Sequence, residues 1–319
     1  MQVEERLRGG PDASRVRSVR VVSGVATVLA DATGLSGAER TALEQRLRSA
    51  VLDDPEVREA RVALTAAKAS DPVLIAVGSG KGGVGKSTVA ANLAVALARL
   101  GQRVGVIDAD IYGPSQPTLL SAHGKPEARG KQLIPSSTPF GVDLLSVGQL
   151  VSPGHALAWR GPMASGALNQ LVEADWNGRD LLVVDLPPGT GDVQLSLIQK
   201  SRPAGAVVVS TPQDLSLIDA TRAIDLFRKT EVPILGIIEN MAGYACPHCG
   251  QPSDPFGQGG AEAAAKVLGV PFLGRLPLSA SLREASDAGT PPAAGNGAAA
   301  DAFQMLAQAV LAQLDTVRS

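Results

Sequence analysis

The chain has 319 residues, of which 45% are hydrophobic and 19% charged, and its formal net charge is −2. This composition is that of a globular protein with one large or two unequal domains, and the lack of a basic field argues against a nucleic-acid partner. The first ten residues lack the apolar segment of a signal peptide, and no apolar stretch approaches the roughly 20 residues that span a bilayer. We therefore expect a cytoplasmic protein without a membrane partner.

The first 72 residues are predicted to form three parts that precede a larger domain. Residues 1–15 are polar, and we expect a flexible N-terminus. Residues 16–66 are predicted to form a small α+β domain, and residues 67–72 a linker. The larger domain then comprises residues 73–319.

The small domain shows short apolar runs at both strand and helix spacing. Val19–Val22 and Val25–Leu29 are separated by a Ser-Gly pair, which predicts a β-hairpin. Gly37–Val51 carries leucine and valine at every fourth position, which predicts a helix. Val57–Leu64 alternates weakly, as expected of a further strand.

From Val73 onward, apolar strands alternate with helical patterns, which predicts an α/β fold with a mostly parallel sheet flanked by helices. The predicted strands are Val73–Val77, Val104–Ile107, Val142–Val147, Leu181–Asp185, Ala206–Ser210, Ile234–Ile238 and a short one near Pro271–Leu276. The predicted helices are Ser87–Leu100, Leu215–Lys229, Ala261–Leu268, Ala300–Val317 and one around Gly166–Ala174. Ligands of such sheets bind beyond the carboxyl ends of the strands.

The first of these strand–helix units contains a phosphate-binding loop with the spacing G-x-x-x-x-G-K-[ST]. Glycines let backbone N–H groups turn toward a phosphate, and the N-terminus of the following helix favours the same anion. Lys86 would add a positive charge at the β- and γ-phosphate oxygens, and Ser87 would offer a hydroxyl to Mg²⁺. The residues expected to bind ATP here are Gly80, Lys81, Gly82, Gly83, Val84, Gly85, Lys86, Ser87 and Thr88.

Acidic residues end two further strands. Asp108 and Asp110 follow one strand two residues apart, so that one acid can orient an attacking water while the other supports Mg²⁺. Asp185 ends an apolar strand in the arrangement of a Walker B motif, and we expect it to face the Mg²⁺ shell with Ser87 and Asp108. The D-L-P-P-G-T-G-D segment from Asp185 cannot continue the strand and suits a switch loop. The alternative is that these acids only cap the turns that follow them.

The only cysteines, Cys246 and Cys249, form a C-x-x-C pair. They are too few and too close together for a disulfide framework. Two thiolates on one turn suit a single metal ion or one edge of a cluster, and a four-thiolate site would require a second copy of the chain in a symmetric dimer. A zinc knuckle, a redox pair and a structural pair remain alternatives, and His248 between the cysteines is expected to be a spectator.

Together, six strings resemble the Mrp/ApbC group of iron–sulfur cluster carrier proteins, which are P-loop ATPases of the MinD/ParA-like superfamily with a deviant Walker A motif. The strings are S-G-K-G-G-V-G-K-S-T, D-A-D-I-Y-G-P-S, W-R-G-P-M, D-L-P-P-G-T-G-D, E-N-M-A-G-Y-x-C-P-H-C-G and F-G-Q-G-G-A-E. The resemblance extends from Val73 to the end of the sequence. MinD, ParA and ArsA lack the C-x-x-C at this place, which makes the match specific.

This resemblance implies a set of catalytic and nucleotide-binding roles. Lys81 would reach the phosphates held by the other subunit, and Lys86 and Asp110 would complete the catalytic residues of a slow ATP hydrolase. Asn240 would contact the adenine edge, and the backbone near Pro277 would close the other side of the base. The chain has Ser279 where the group often has an acid.

The resemblance also implies the cargo and the partners. Cys246 and Cys249 of two chains would bind a bridging [4Fe–4S] cluster in a homodimer, for transfer to apo iron–sulfur proteins with help from a cluster-assembly scaffold. The N-terminal domain resembles the small domain often fused to these carriers, but it contains no cysteine, so we expect a docking or structural role for it.

Two other functions are consistent with the nucleotide-binding motif. A MinD/ParA-like positioning ATPase would need a basic amphipathic helix for membranes, whereas the last 20 residues contain one basic residue, Arg318. A zinc-stapled regulatory ATPase would bind zinc through the same cysteine pair.

Overall fold

The computed structural model describes residues 2–33, 35, 37–65, 71–130, 132–150, 161–213, 216–246 and 248–319. The chain divides into two compact units, Met1–Ser70 and Asp71–Ser319.

The first unit is a three-stranded sheet covered by helices. Its elements are α1 (Gln2–Arg8), β1 (Val16–Val22), β2 (Val25–Asp31), α2 (Gly37–Leu52) and β3 (Glu59–Thr65). Strands β1 and β2 form the predicted antiparallel hairpin, and β3 pairs with β2 in parallel. The predicted helix and the third strand are both present.

The N-terminal segment differs from the expectation of a flexible, unstructured start. Helix α1 places Val3 and Leu7 one turn apart, and both are buried in a core that includes Leu43 and Leu47 of α2. Burial of these two side chains stabilises α1, although the polar composition of the segment does not indicate a helix.

The described residues of the second unit form an eight-stranded sheet between two layers of helices, together with two separate two-stranded pairs. Its strands are β4 (Val73–Gly78), β5 (Val104–Asp108), β6 (Glu127–Arg129), β7 (Gln132–Ile134), β8 (Ser136–Ser137), β9 (Val142–Ser146), β10 (Leu181–Asp185), β11 (Gly205–Ser210), β12 (Ile234–Glu239), β13 (Tyr244–Ala245), β14 (Pro252–Ser253) and β15 (Phe272–Arg275). Its helices are α3 (Lys86–Arg99), α4 (Gln116–Leu119), α5 (Gly161–Val172), α6 (Asp192–Ser201), α7 (Ser216–Lys229), α8 (Gly260–Leu268), α9 (Ala280–Asp287) and α10 (Ala298–Arg318).

The order of the sheet is β15-β12-β11-β4-β10-β5-β9-β8, and all neighbours are parallel except β8 and β9. This confirms the predicted mostly parallel sheet. Strand side chains alternate between two apolar cores, with Ile75 and Val77 packing toward α3 and α10 and Ala76 toward the opposite helices. Because both faces are covered, the central strands read as continuous apolar runs.

Three helices and three short pairings were not predicted. Helices α4, α6 and α9 are short and follow proline- or glycine-containing loops, and the pairs β6–β7, β8–β9 and β13–β14 join segments of only two to five residues. Such short elements lack a periodic apolar pattern, so their formation depends on tertiary contacts. The predicted helix start at Leu215 lies outside the described residues.

Candidate functional site

The phosphate loop joins the end of β4 to the start of α3. Gly85 precedes the helix with a φ of +78°, which favours glycine, and a Cβ there would lie 2.3 Å from the side-chain nitrogen of Asn240. A Cβ at Gly80 would lie 1.9 Å from the carbonyl oxygen of Asp219, so the loop passes directly against α7. A side chain at either glycine would collide with these neighbours, so Gly80 and Gly85 allow the loop to pack closely against α7 and Asn240.

Two carboxylates face each other across adjacent strands at the carboxyl edge of the sheet. Asp108 and Asp185 are register partners in the β5–β10 pair, and both are fully buried. Lys86, also buried, donates a short hydrogen bond to Asp185 Oδ1, and its Nζ lies 3.2 Å from Ser87 Oγ and 3.8 Å from Asp110 Oδ2. The phosphate loop lysine is thus surrounded by the acids that end β5 and β10.

Burial governs the protonation of these acids. Desolvation, and then the charge of Asp185, raises the pKa of Asp108 to about 7, against hydrogen bonds from Ser146, Gln116 and Asp110 that favour the ionised form. Desolvation also raises the pKa of Asp110, although the charge of Lys86 opposes the shift. Burial thus disfavours the ionised form of both carboxyls in the nucleotide-free chain.

Sequence reasoning missed Gln116, which joins the loop to both strand-end acids. Its Nε2 donates to Asp185 Oδ2 at 2.8 Å and to the Ser87 carbonyl at 3.0 Å, while its backbone N–H donates to Asp108 Oδ2 at 3.1 Å. Ser146 Oγ, also not predicted, donates to the same Asp108 oxygen at 2.8 Å. No spacing rule marks a glutamine at the first position of a four-residue helix.

The oxygens gathered here fit a magnesium ion. Ser87, Asp108 and Asp185 supply the hard oxygen donors that Mg²⁺ prefers. In addition, Ser115 Oγ and Gln116 Oε1 are buried without a hydrogen-bond partner among the described residues. Orphaned oxygens beside carboxylates are suited to accept hydrogen bonds from the hydration waters that Mg²⁺ usually retains.

Lys81, the lysine of the deviant motif, is paired within its own chain. Its Nζ lies 3.0 Å from Asp219 Oδ2, and its side chain is 37% exposed. Arg222 Nη1 lies 3.8 Å from the other oxygen of Asp219. The structure places Lys81 at the rim of the loop, away from the buried acids that surround Lys86.

A cavity of about 180 Å³ lies next to the phosphate loop. The structure brings Asn240 and Pro277 together there with Gly85 and Thr88, and Ser279 also lines it. Asn240 Nδ2 donates to the Val84 carbonyl at 2.8 Å, which fixes the amide against the loop. The two residues predicted to surround a base thus share one cavity with the start of α3.

The cysteine pair lies on a hairpin formed by β13 and β14. The Cys246 N–H donates to the Gln251 carbonyl at 3.0 Å and the Gly250 N–H to the Cys246 carbonyl at 2.8 Å, which close a tight turn. Hydrogen bonds from the backbone N–H groups of His248 and Cys249 lower the pKa of the Cys246 thiol. Cys246 is half-buried and Cys249 exposed, so the thiolate form that binds metals is favoured at an accessible position.

Within the part of the chain that the structure describes, no set of three or more histidine, cysteine, aspartate or glutamate side chains is arranged to hold a metal ion. Cys246 and Cys249 thus have no third side chain of these types arranged with them among the described residues. Pro247, and Trp159 and Arg160 of the W-R-G-P-M string, lie outside the described residues. Among the described helices, none combines the length and apolarity needed to cross a membrane.

The protein family whose model matches this chain covers most of the second unit. Residues 72–311 match the model of the ParA family described as NUBPL iron-transfer P-loop NTPase. An iron–sulfur cluster carrier protein from Pseudomonas fragi is 51% identical over 223 residues, which cover 69% of this chain and 78% of the relative. An Arabidopsis thaliana iron–sulfur protein required for mitochondrial NADH dehydrogenase is 47% identical over 250 residues, covering 77% of this chain and 80% of the relative.

A solved structure shares the fold of the second unit. The nucleotide-binding protein of Archaeoglobus fulgidus, in complex with ADP, superposes with a TM-score of 0.62 at 39% identity. The superposition covers 70% of this chain and 89% of that protein.

Proposed function

We propose that this chain, which belongs to the family of NUBPL iron-transfer P-loop NTPases, binds and hydrolyses ATP with Mg²⁺ and carries an iron–sulfur cluster to apo-proteins. The observation that carries the proposal is a two-thiol site in the same unit as a complete phosphate loop. Relatives with about half of their aligned residues identical are named as cluster carriers, and that name favours a cluster over zinc as the cargo.

The cluster would be shared by two chains. Cys246 and Cys249 supply two thiolates, and a [4Fe–4S] cluster held by cysteines takes four. Since the chain contains no other cysteine, a second copy is the simplest source of the missing ligands. A homodimer with the cluster on its two-fold axis follows.

ATP would be held by the loop and processed by the buried acids. Lys86 would move from Asp185 to the phosphates, and Ser87, Asp108 and Asp185 would hold Mg²⁺, which supplies charge stabilisation at the phosphates. Asp110, on the rim of the same cluster, would orient the attacking water. Asn240 and the backbone at Pro277 would enclose the adenine. Lys81 would leave Asp219 and contact the phosphates of the other subunit, so that hydrolysis depends on dimerisation.

Cluster handling and hydrolysis would be linked because both depend on the dimer. The nucleotide would favour one arrangement of the two chains, and hydrolysis would shift the population toward another. The exposure of a cluster held at the interface would change with that shift. The recipients would be apo iron–sulfur proteins, and the cytoplasmic location expected from the sequence stays a prediction.

Anaerobic reconstitution with iron and sulfide tests this proposal. We expect the wild-type protein to become a brown dimer with about four iron and four sulfide per two chains, and Cys249→Ala to lose both the colour and the cluster-bearing dimer. His248→Ala, which changes the same turn without removing a thiol, is the matched control and should retain both. A wild-type monomer that binds iron through both cysteines, or a protein that binds zinc without sulfide, would contradict the proposal.

A further inference from the structure

Gln116 is a buried glutamine at the centre of the acid cluster. Its side chain is fully buried, and its amide nitrogen is shared between Asp185 Oδ2 and the carbonyl of Ser87. Its own backbone N–H holds Asp108. One residue therefore touches each of the three positions expected to hold Mg²⁺.

The other atom of the same amide has no partner. Gln116 Oε1 is buried and accepts no hydrogen bond from any of the described residues. A buried amide oxygen without a donor typically costs about 1–3 kcal/mol. Oε1 belongs to the same planar amide as Nε2, the atom that contacts Asp185 and the Ser87 carbonyl.

The neighbouring residue, Ser115, also has a buried side-chain oxygen without a hydrogen-bond partner among the described residues. Ser115 precedes α4 at the position where a serine hydroxyl usually accepts a backbone N–H of the first turn, yet it makes no such capping bond. Two consecutive residues thus present unpaired polar atoms at the start of one helix.

Bound water can supply the hydrogen-bond donors that these two atoms lack. Lys86 already donates to Asp185 and lies within hydrogen-bond distance of Ser87 Oγ. Mg²⁺ bound through one or two protein oxygens and a phosphate keeps several waters, each with two protons to donate. Removing a group that orients the ligands or hydration waters of a metal ion commonly changes metal affinity by about 10- to 100-fold.

We propose that Gln116 is a positioning residue for the Mg²⁺ of the nucleotide site. Its Nε2 orients the Asp185 carboxylate, and its Oε1 accepts a hydrogen bond from a hydration water of the ion. This inference deepens the proposed ATP site and rests on Mg²⁺-nucleotide binding there, but it does not depend on the cluster. It also distinguishes Gln116 from a glutamine that orients the attacking water, since it predicts an effect on ADP, which has no γ-phosphate.

The test measures the affinity of the full-length chain for N-methylanthraniloyl-ADP in excess MgCl₂ and in excess EDTA. The readout is the Mg²⁺-linked gain, defined as the Kd in EDTA divided by the Kd in MgCl₂. We expect Gln116→Met, which keeps the side-chain volume, to reduce this gain about tenfold relative to wild type. Its Kd in EDTA should remain within about twofold of wild type, because the loop itself is unchanged.

Two further variants separate this role from simple support of the fold. Gln116→Glu keeps an acceptor oxygen but loses the Nε2 donor to Asp185, so its Mg²⁺-linked gain should fall below that of wild type by less than the tenfold expected for Gln116→Met. Gln149→Met removes another buried amide, whose Nε2 bonds the carbonyls of Ala122 and Gly124 and whose Oε1 accepts from the Ser146 N–H. Because Gln149 is linked to Asp108 only through Ser146, this variant should retain the wild-type gain. Thermal unfolding identifies any variant that does not fold, and the Glu variant tests the inference independently of the Met variant.

An unchanged gain in Gln116→Met, an equal loss of affinity in MgCl₂ and EDTA, or a loss of tenfold or more in the gain of a folded Gln116→Glu would overturn the inference. A wild-type protein that does not bind the ADP probe would instead contradict the proposed nucleotide site. Failure of cluster reconstitution would contradict the carrier function and leave the result for Gln116 standing.

Discussion

Lys81 and Asp219 form an ion pair within one chain, with 3.0 Å between Nζ and Oδ2. The proposed role of Lys81 is at the phosphates of another subunit, so this pair must break when the ATP-bound dimer forms. The lysine is partly exposed, and pairs of this kind contribute up to about 1 kcal/mol. We therefore expect the pair to oppose the proposed dimerisation weakly.

Replacing Asp219 with asparagine should strengthen the ATP-dependent dimer. With the competing carboxylate neutralised, we expect the dimer dissociation constant, measured by sedimentation with a non-hydrolysable ATP analogue, to fall about three- to fivefold. Arg222→Ala is the matched control, because Arg222 contacts the same carboxylate at 3.8 Å without a proposed role at the phosphates. A weaker dimer in Asp219→Asn would show that the pair supports the dimer-competent loop.

Lys86→Ala should destabilise the nucleotide-free protein as well as abolish ATP binding. The side chain is buried against Asp185, and removing one partner of a buried ion pair typically costs about 3–5 kcal/mol because a charge is left uncompensated. Urea denaturation without nucleotide measures this cost. Adding Asp185→Asn to Lys86→Ala removes the remaining charge and should recover part of the stability, whereas strictly additive losses would contradict the coupling.

The sequence was sufficient for the features that depend on local pattern. Strand β10 ends at Asp185 where the apolar run ends, and the loop motif determines where α3 begins at Lys86. Parallel strands align their carboxyl ends, so Asp108 and Asp185 could be expected at one edge before any contact was known. The mostly parallel sheet follows from the same alternation of strands and helices.

The partners of these residues were not predictable, because they come from distant segments. Gln116 contacts Asp185 across 69 positions of sequence, and no pattern near either residue records that contact. Asp219 reaches Lys81 only because α7 packs against the loop at Gly80. The buried face of α1, with Val3 and Leu7, likewise depends on a neighbour, α2, rather than on its own composition.

The stability of the nucleotide-free protein should fall between acidic and neutral pH because of Asp108. Burial and the charge of Asp185 raise the pKa of Asp108 from its ordinary 3.8 to about 7. In that window the native state holds a proton that the unfolded chain has released, so the free energy of unfolding decreases as pH rises from about 4 to about 7 and then levels off.

Asp108→Asn removes this titration. Its stability relative to wild type should therefore improve with rising pH, by about 2–3 kcal/mol between pH 5 and pH 8. Urea denaturation in EDTA at several pH values measures the difference. A difference that stays constant over this range would mean that Asp108 is ionised in the native state throughout. Ser146→Ala, which removes one bond to Asp108 but leaves the carboxyl, should keep the wild-type direction of the slope.

Cys246 should ionise below the ordinary pKa of a cysteine thiol, and Cys249 should contribute to that shift. The backbone N–H of His248 has the largest effect on the pKa of Cys246, followed by the backbone N–H and then the thiol of Cys249. In Cys249→Ala one donor is lost and the two backbone donors remain, so the pKa of Cys246 should rise while staying below its ordinary value. The pH dependence of thiolate absorbance, recorded anaerobically on metal-free protein, measures the pKa of Cys246 in the wild-type protein and in Cys249→Ala. A Cys246 pKa that did not change in Cys249→Ala would show that the turn backbone alone favours its thiolate.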